Sequence, residues 1–153
     1  GSKELIFALK NNARALIFSA AIPPAQTAAA KAAFEVILDE PERIHRLRRN
    51  IRRYIDGLLA RGFTTSSSET SVVPVICNTS EQAVSMARFC QDRDIFVQPI
   101  IYPAVPINAP RLRTIITAAH TAADIDFVLE TLTAAGHAFG LLKSQQTPVL
   151  VPA

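Results

Sequence analysis

The chain predicts an α+β fold, a small and mostly antiparallel sheet with helices packed on one face. Three observations carry this. Runs rich in β-formers at 72–77, 95–102 and 112–117 read as strands. Apolar stripes at helical spacing cover 44–59 and 125–142. From Leu38 onward the order is helix, strand, helix, strand, strand, helix, which segregates helices to one side of a sheet.

Element by element, residues 2–13 predict a helix with Leu5, Ile6 and Leu9 on one face, and Ala15 to Phe18 a short strand. Pro23-Pro24 opens a second helix, where proline suits a first turn that needs no amide donor. The alanine-rich run Ala25 to Leu38 has high helix propensity. Asp39-Glu40-Pro41 predicts a kink or restart. The stripe Ile44, Leu47, Ile51, Ile55, Leu58 and Leu59 then continues the helix until Arg61-Gly62 stops it.

Ser66 to Ser68 mark a loop and Val72 to Cys77 the next strand. Thr79 with Gln82 three residues on has capping-box spacing for a helix over 80–92. Ile95 to Tyr102 and Leu112 to Thr117 follow as strands. Thr121 with Asp124 caps a last helix whose stripe is Ile125, Val128, Leu129, Leu132, Phe139 and Leu142. Four stretches result: 1–22, a stub of a larger partner domain; 23–61, a long kinked connecting helix; 62–142, the small α+β domain; and 143–153, an aperiodic tail or linker with two prolines. Gly1-Ser2 admits two readings, a cloning remnant or native sequence.

With 153 residues, 49% hydrophobic and 19% charged, the chain is long enough for a hydrophobic core and unlike a disordered tail. Its apolar runs stop short of membrane-spanning length, and no secretory signal is visible, so a cytoplasmic protein with no membrane span is expected. Cys77 and Cys90 lack both the number for a disulfide framework and the spacing of a metal site. Buried, reduced thiols are expected instead.

Arg43, Arg46, Arg48, Arg49, Arg52 and Arg53 spread over a wide helical arc, with Asp39, Glu40, Glu42 and Asp56 nearby. With a net charge of only +3, a solvated helix face is favoured over a nucleic-acid partner. His120, at a strand-to-helix junction, is read as bonded to nearby backbone before it is read as an acid–base group. His45 and His137 have no supporting cluster, no metal-ligand spacing occurs, and no glycine-rich phosphate loop is present.

The stretch PIIYPAVPINAPRLRTIITAAH (99–120) carries the sharpest functional signal. An apolar run ends in a loop bracketed by Pro103 and Pro106, and a second run opens on Arg111-Leu112-Arg113. Arg113 is the candidate binding residue, because a guanidinium donates two parallel hydrogen bonds to a carboxylate and fixes its orientation. Arg111 is expected to turn away into solvent.

Several segments in one order resemble the α-oxoamine synthases. They are Leu16-Ile17-Phe18-Ser19 before Ile22-Pro23-Pro24, then Pro41-Glu42-Arg43, then Gly62-Phe63 before Val73-Pro74-Val75. Ile95-Phe96-Val97, Tyr102-Pro103-Ala104-Val105-Pro106, Arg111-Leu112-Arg113, Ala118-Ala119-His120-Thr121 and Asp124-Ile125-Asp126 complete the series. The resemblance implies the small C-terminal domain of a fold-type I enzyme dependent on pyridoxal 5′-phosphate (PLP). Such an enzyme condenses an amino acid with an acyl-CoA, usually with loss of CO2, and acts as a homodimer.

It further implies that Arg113 holds the substrate carboxylate and that Pro103, Ala104, Val105 and Pro106 border the active site. Ser19 is implied to stand near the PLP phosphate, weakly, because Ala20 replaces a threonine common in relatives. No catalytic residue is assigned. Lys3, Lys10, Lys31 and Lys143 are the only lysines, and none stands in the family's Ser/Thr-x-x-Lys setting. The PLP lysine is therefore expected in an upstream large domain, which leaves this chain inactive by itself. The alternative is a non-catalytic binding or scaffold domain of the same fold.

Overall fold

The computed structural model describes residues 1–20, 22–66 and 68–143. The expected tail therefore lies, beyond Lys143, outside the described residues. The chain divides into two compact units, Gly1–Pro41 and Glu42 onward.

The first unit holds α1 (Lys3–Asn12), α2 (Arg14–Ile17) and α3 (Pro24–Asp39). Ser2 caps α1, its hydroxyl accepting from the Leu5 amide at 3.2 Å. The strand expected over Ala15–Phe18 is a helical turn instead. Its amides bond locally, Ile17 to the Ala13 carbonyl and Phe18 to that of Arg14, both at 3.0 Å. So short a run satisfies its own backbone as a helix, whereas a strand needs a neighbour to pair with. Proline occupies the first turn of α3 as expected. None of the three helices buries a single residue. Phe7, Phe18, Phe34 and Leu38 are all more than two-thirds exposed.

The predicted kink at Asp39-Glu40-Pro41 is a full break. The helix stops at Asp39, Glu40 leaves helical geometry, and α4 (Glu42–Ala60) begins one residue beyond Pro41. Proline lacks the amide that a continuous helix would require at that point. The second unit continues with β1 (Val72–Ile76), α5 (Ser80–Gln91), β2 (Gln98–Ile100), β3 (Arg111–Ile115) and α6 (Ala122–Ala138).

The sheet is antiparallel with order β1-β3-β2. Pro74 and Pro99 lie on the two edge strands, and β3 at the centre contains no proline, so every central amide can join the ladder. Alternation divides the faces. Val73, Val75, Leu112 and Thr114 point inward and are buried. Against them pack Tyr54 and Leu58 of α4, Ala83, Met86, Ala87 and Cys90 of α5, and Ile125, Leu129 and Leu132 of α6. Helices therefore cover one face, as the pattern requires.

All three strands end differently from expectation, and β1 stops one residue early, at Ile76. Of 95–102 only Gln98–Ile100 pairs. Asp94 takes a left-handed conformation (φ 60°), and the Ile95 amide bonds back to the Cys90 carbonyl at 3.0 Å, so the lead-in belongs to the end of α5. Ile95 and Val97 still enter the core, which is why the run reads as a strand. The ladder of β3 spans Arg111–Ile115 where 112–117 was expected. Asn50 draws the next turn to α4, its side-chain amide donating to the Thr117 and His120 carbonyls at 3.1 and 2.8 Å.

Candidate functional site

The open face of the sheet carries the candidate site. Arg113 sits on the central strand, directly opposite Pro74 on β1 and Gln98 on β2. Its side chain is exposed. Arg111, expected to turn away, lies on the same face, because side chains two apart on a strand share a side. Both arginines line one cavity of ≈ 530 Å³ with Ile100, Ser68 and Glu69. Arg111 is steadied by donating from Nε to the Ala109 carbonyl at 3.1 Å. Among the described residues Arg113 has no ion-pair partner, so its fork is open to a carboxylate.

The Pro103–Pro106 loop joins β2 to β3 beyond the Ile100–Arg111 pair, both members of which line the cavity. The Ala104 amide donates to the Ile101 carbonyl at 3.0 Å and the Ala109 amide to that of Pro106 at 2.9 Å. The Tyr102–Pro103 bond is cis. Sequence reasoning did not assign the wall formed by Ser66, Ser68, Glu69 and Thr70. There the Ser68 hydroxyl donates to the Val72 carbonyl at 2.6 Å, fixing the loop to the start of β1. The serine-rich composition that marked a loop was the available signal.

Other titratable groups have structural tasks. The His120 Nδ1 accepts from the Thr117 amide at 3.2 Å, the backbone role expected of it. Cys77 and Cys90 are free, buried thiols, both pushed up to about 11 by burial. The Tyr54 hydroxyl, fully buried, completes no well-formed hydrogen bond. The nearby Thr114 hydroxyl is committed to the Val73 carbonyl at 2.6 Å. Among the described residues no group of three or more potential metal ligands occurs.

Ser19 lies in the first unit, exposed, its hydroxyl donating to the Leu16 carbonyl at 2.8 Å. Its lone pairs stay available to a donor. All four lysines are exposed, and Lys31 pairs with Glu35 at 3.1 Å. Arg113 offers the paired donors a carboxylate takes, and no lysine among the described residues is buried as a covalently held PLP would need.

A family model for aminotransferase class I and II matches residues 1–132, and the chain belongs to that family. Within it the relatives are α-oxoamine synthases. The chain is 39% identical over 135 residues to 8-amino-7-oxononanoate synthase 1 of Bacillus velezensis, covering 88% of this chain and 34% of that protein. It is 38% identical over 142 residues to 8-amino-7-oxononanoate synthase of Symbiobacterium thermophilum, covering 93% and 36%.

Among solved structures it superposes on a serine palmitoyltransferase holding PLP as an internal aldimine. The TM-score is 0.82 and the identity 32%, over 92% of this chain and 36% of that one. It also superposes on a serine palmitoyltransferase of S. paucimobilis with a bound PLP–myriocin aldimine, with a TM-score of 0.80 and 33% identity, over 89% and 35%. The chain spans about a third of the length of these proteins.

Proposed function

We propose that this chain is the substrate-side, C-terminal portion of a PLP-dependent acyltransferase that condenses an amino acid with an acyl-CoA to an α-oxoamine, usually with decarboxylation. An 8-amino-7-oxononanoate synthase-like activity suits its relatives. On this reading 1–22 is a stub of the large PLP-binding domain, 23–61 the connecting helical segment, 62–142 the small domain, and 143–153 a tail. The PLP lysine belongs to the upstream domain, and the parent is a cytoplasmic homodimer.

The observation that carries the reading is Arg113, on the central strand of the sheet's open face, lining a cavity and, among the described residues, without an ion-pair partner. Two parallel hydrogen bonds from a guanidinium fix both position and tilt of a carboxylate. They thereby set how the bonds at the amino acid's Cα point, and orientation of this kind lowers the entropy lost on reaching the transition state. The Pro103–Pro106 loop borders the substrate on the β2–β3 side. Ser19 offers a weak hydrogen bond to the cofactor phosphate.

Steady-state kinetics of Arg113→Lys in the full-length protein test this. A single ammonium loses the fork, so KM for the amino acid rises about tenfold or more while KM for the acyl-CoA stays put. Unchanged amino-acid kinetics contradict the assignment.

A further inference from the structure

Where β3 runs out, the second unit holds a further cavity of ≈ 430 Å³, lined by residues of α4, β3, α6 and the lead-in to β2. It exists because the β2–β3 ladder ends early. Pairing stops at Gln98 and Arg113. Asp94, in its left-handed conformation, turns the chain so that the Ile95 amide meets the Cys90 carbonyl. The next partners in that register, Phe96 and Ile115, do not pair, and both line the gap.

Burial separates the floor of this cavity from its mouth. Tyr54, Val97 and Ile125 line it and are buried. The Tyr54 hydroxyl has no hydrogen-bond partner among the described residues, which marks the corner as something other than a finished core. Asp94, Phe96, Asp124 and Phe127 line the same cavity and are exposed. Two carboxylates and two aromatic rings therefore share one mouth. Asp124 accepts from the Thr121 amide and hydroxyl through Oδ2 alone, each at 2.8 Å, so Oδ1 is left to another donor. Among the described residues neither carboxylate has a cation within ion-pair distance. The volume is that of a small-molecule site. Aromatic faces and carboxylates both attract a positive charge, and the apolar floor takes a hydrocarbon body.

We infer that this cavity binds a small organic amine, its apolar body on the floor of Val97 and Ile125 and its ammonium at the mouth among Asp94, Asp124, Phe96 and Phe127. An anion would meet two carboxylates there, and a neutral apolar molecule would leave them unused. The site is built from the second unit alone and does not depend on the acyl-CoA reading above.

The test uses two probes with one apolar body and different heads, phenylbutylammonium and phenylbutanol. Each is titrated into the 153-residue protein and followed by ligand-observed NMR. The pH is 8, above the ordinary histidine range, because His120 also lines the cavity. The expected result is saturable binding of the ammonium, about fivefold or more tighter than that of the alcohol. In the Asp94→Asn/Phe127→Leu double variant, where asparagine tolerates the left-handed backbone, ammonium affinity falls about fivefold or more and alcohol affinity changes less than about twofold. Thermal melts confirm folding. Should the double variant fold poorly, Asp94→Asn alone decides, with a loss of about threefold. Equal affinity for the two probes makes the cavity an apolar hollow with no role for its carboxylates and overturns the inference. Equal ammonium affinity in wild type and folded variants places the amine elsewhere and overturns it too, as does a failure of the ammonium to saturate.

Discussion

At the scale of single residues, the contrast between Arg113 and Arg53 shows what a guanidinium does in each setting. Arg53 is satisfied by Asp126 across α4 and α6, a half-exposed pair whose attraction solvent largely screens. Arg113 has no such task, so Arg113→Ala is expected to leave folding stability within about 0.5 kcal/mol of wild type in urea denaturation. A larger loss would give Arg113 a structural role.

The thiols supply a second residue-level prediction. Burial holds Cys77 and Cys90 neutral up to about 11, well above the ordinary value of 9.0. At pH 8 a disulfide reagent is therefore expected to label neither until the protein unfolds. The unfolded chain releases these protons first as pH rises, so stability falls from about pH 9 and keeps falling toward 11. Rapid labelling of the folded protein would contradict this.

At the scale of elements, capping and close packing decide α4 and α6. The Thr121 hydroxyl accepts from the Asp124 amide at 3.2 Å while the Asp124 carboxylate accepts from the Thr121 amide at 2.8 Å. Thr121→Ala is expected to cost about 1 kcal/mol. Those bonds, the Thr121 amide first, hold the Asp124 carboxyl below its ordinary value of 3.8. Its contribution is present above that value and is lost as pH falls through the depressed one. An Asp124→Asn variant should therefore lose its deficit relative to wild type in strong acid. Gly57 faces the Leu129 side chain so closely that an added Cβ would collide with it. Gly57→Ala should destabilise by about 1–3 kcal/mol despite the better helix former, measured by thermal melts.

Elements were the level at which sequence spoke most clearly, and its failures have physical causes. Period placed α4, and period with caps placed α5 and α6, because each buries one stripe and Thr79 and Thr121 cap the latter two. Ala15–Phe18 misled because a short apolar run has no period, and either secondary structure can hold it. The 95–102 strand was overextended because Ile95 and Val97 alternate into the core without pairing. At the proposed site, the place of Arg113 on a strand after a proline-bracketed loop was legible. The wall that Ser66, Ser68, Glu69 and Thr70 supply was not, since it arises where segments distant in sequence meet.

For the whole molecule, the decisive contrast is between the two units. The second has a closed core, whereas α1, α2 and α3 bury nothing and present Phe7, Phe18, Phe34 and Leu38 to their surroundings. Apolar surface of that extent marks an interaction face, and the proposal supplies its covering in the upstream domain and the partner subunit. The chain alone is accordingly expected to self-associate. Light scattering should give a mass above 16.6 kDa that grows with concentration. A strictly monomeric profile would contradict that expectation.

The central claim is that this chain supplies the substrate's side of the reaction and not the lysine that holds PLP. The most direct test is to titrate the 153-residue chain with PLP, reduce with borohydride and map the peptides by mass. The account predicts no stoichiometric adduct at any one of Lys3, Lys10, Lys31 and Lys143. A single lysine fully modified at one equivalent of PLP would contradict it and make that lysine the centre of the chemistry.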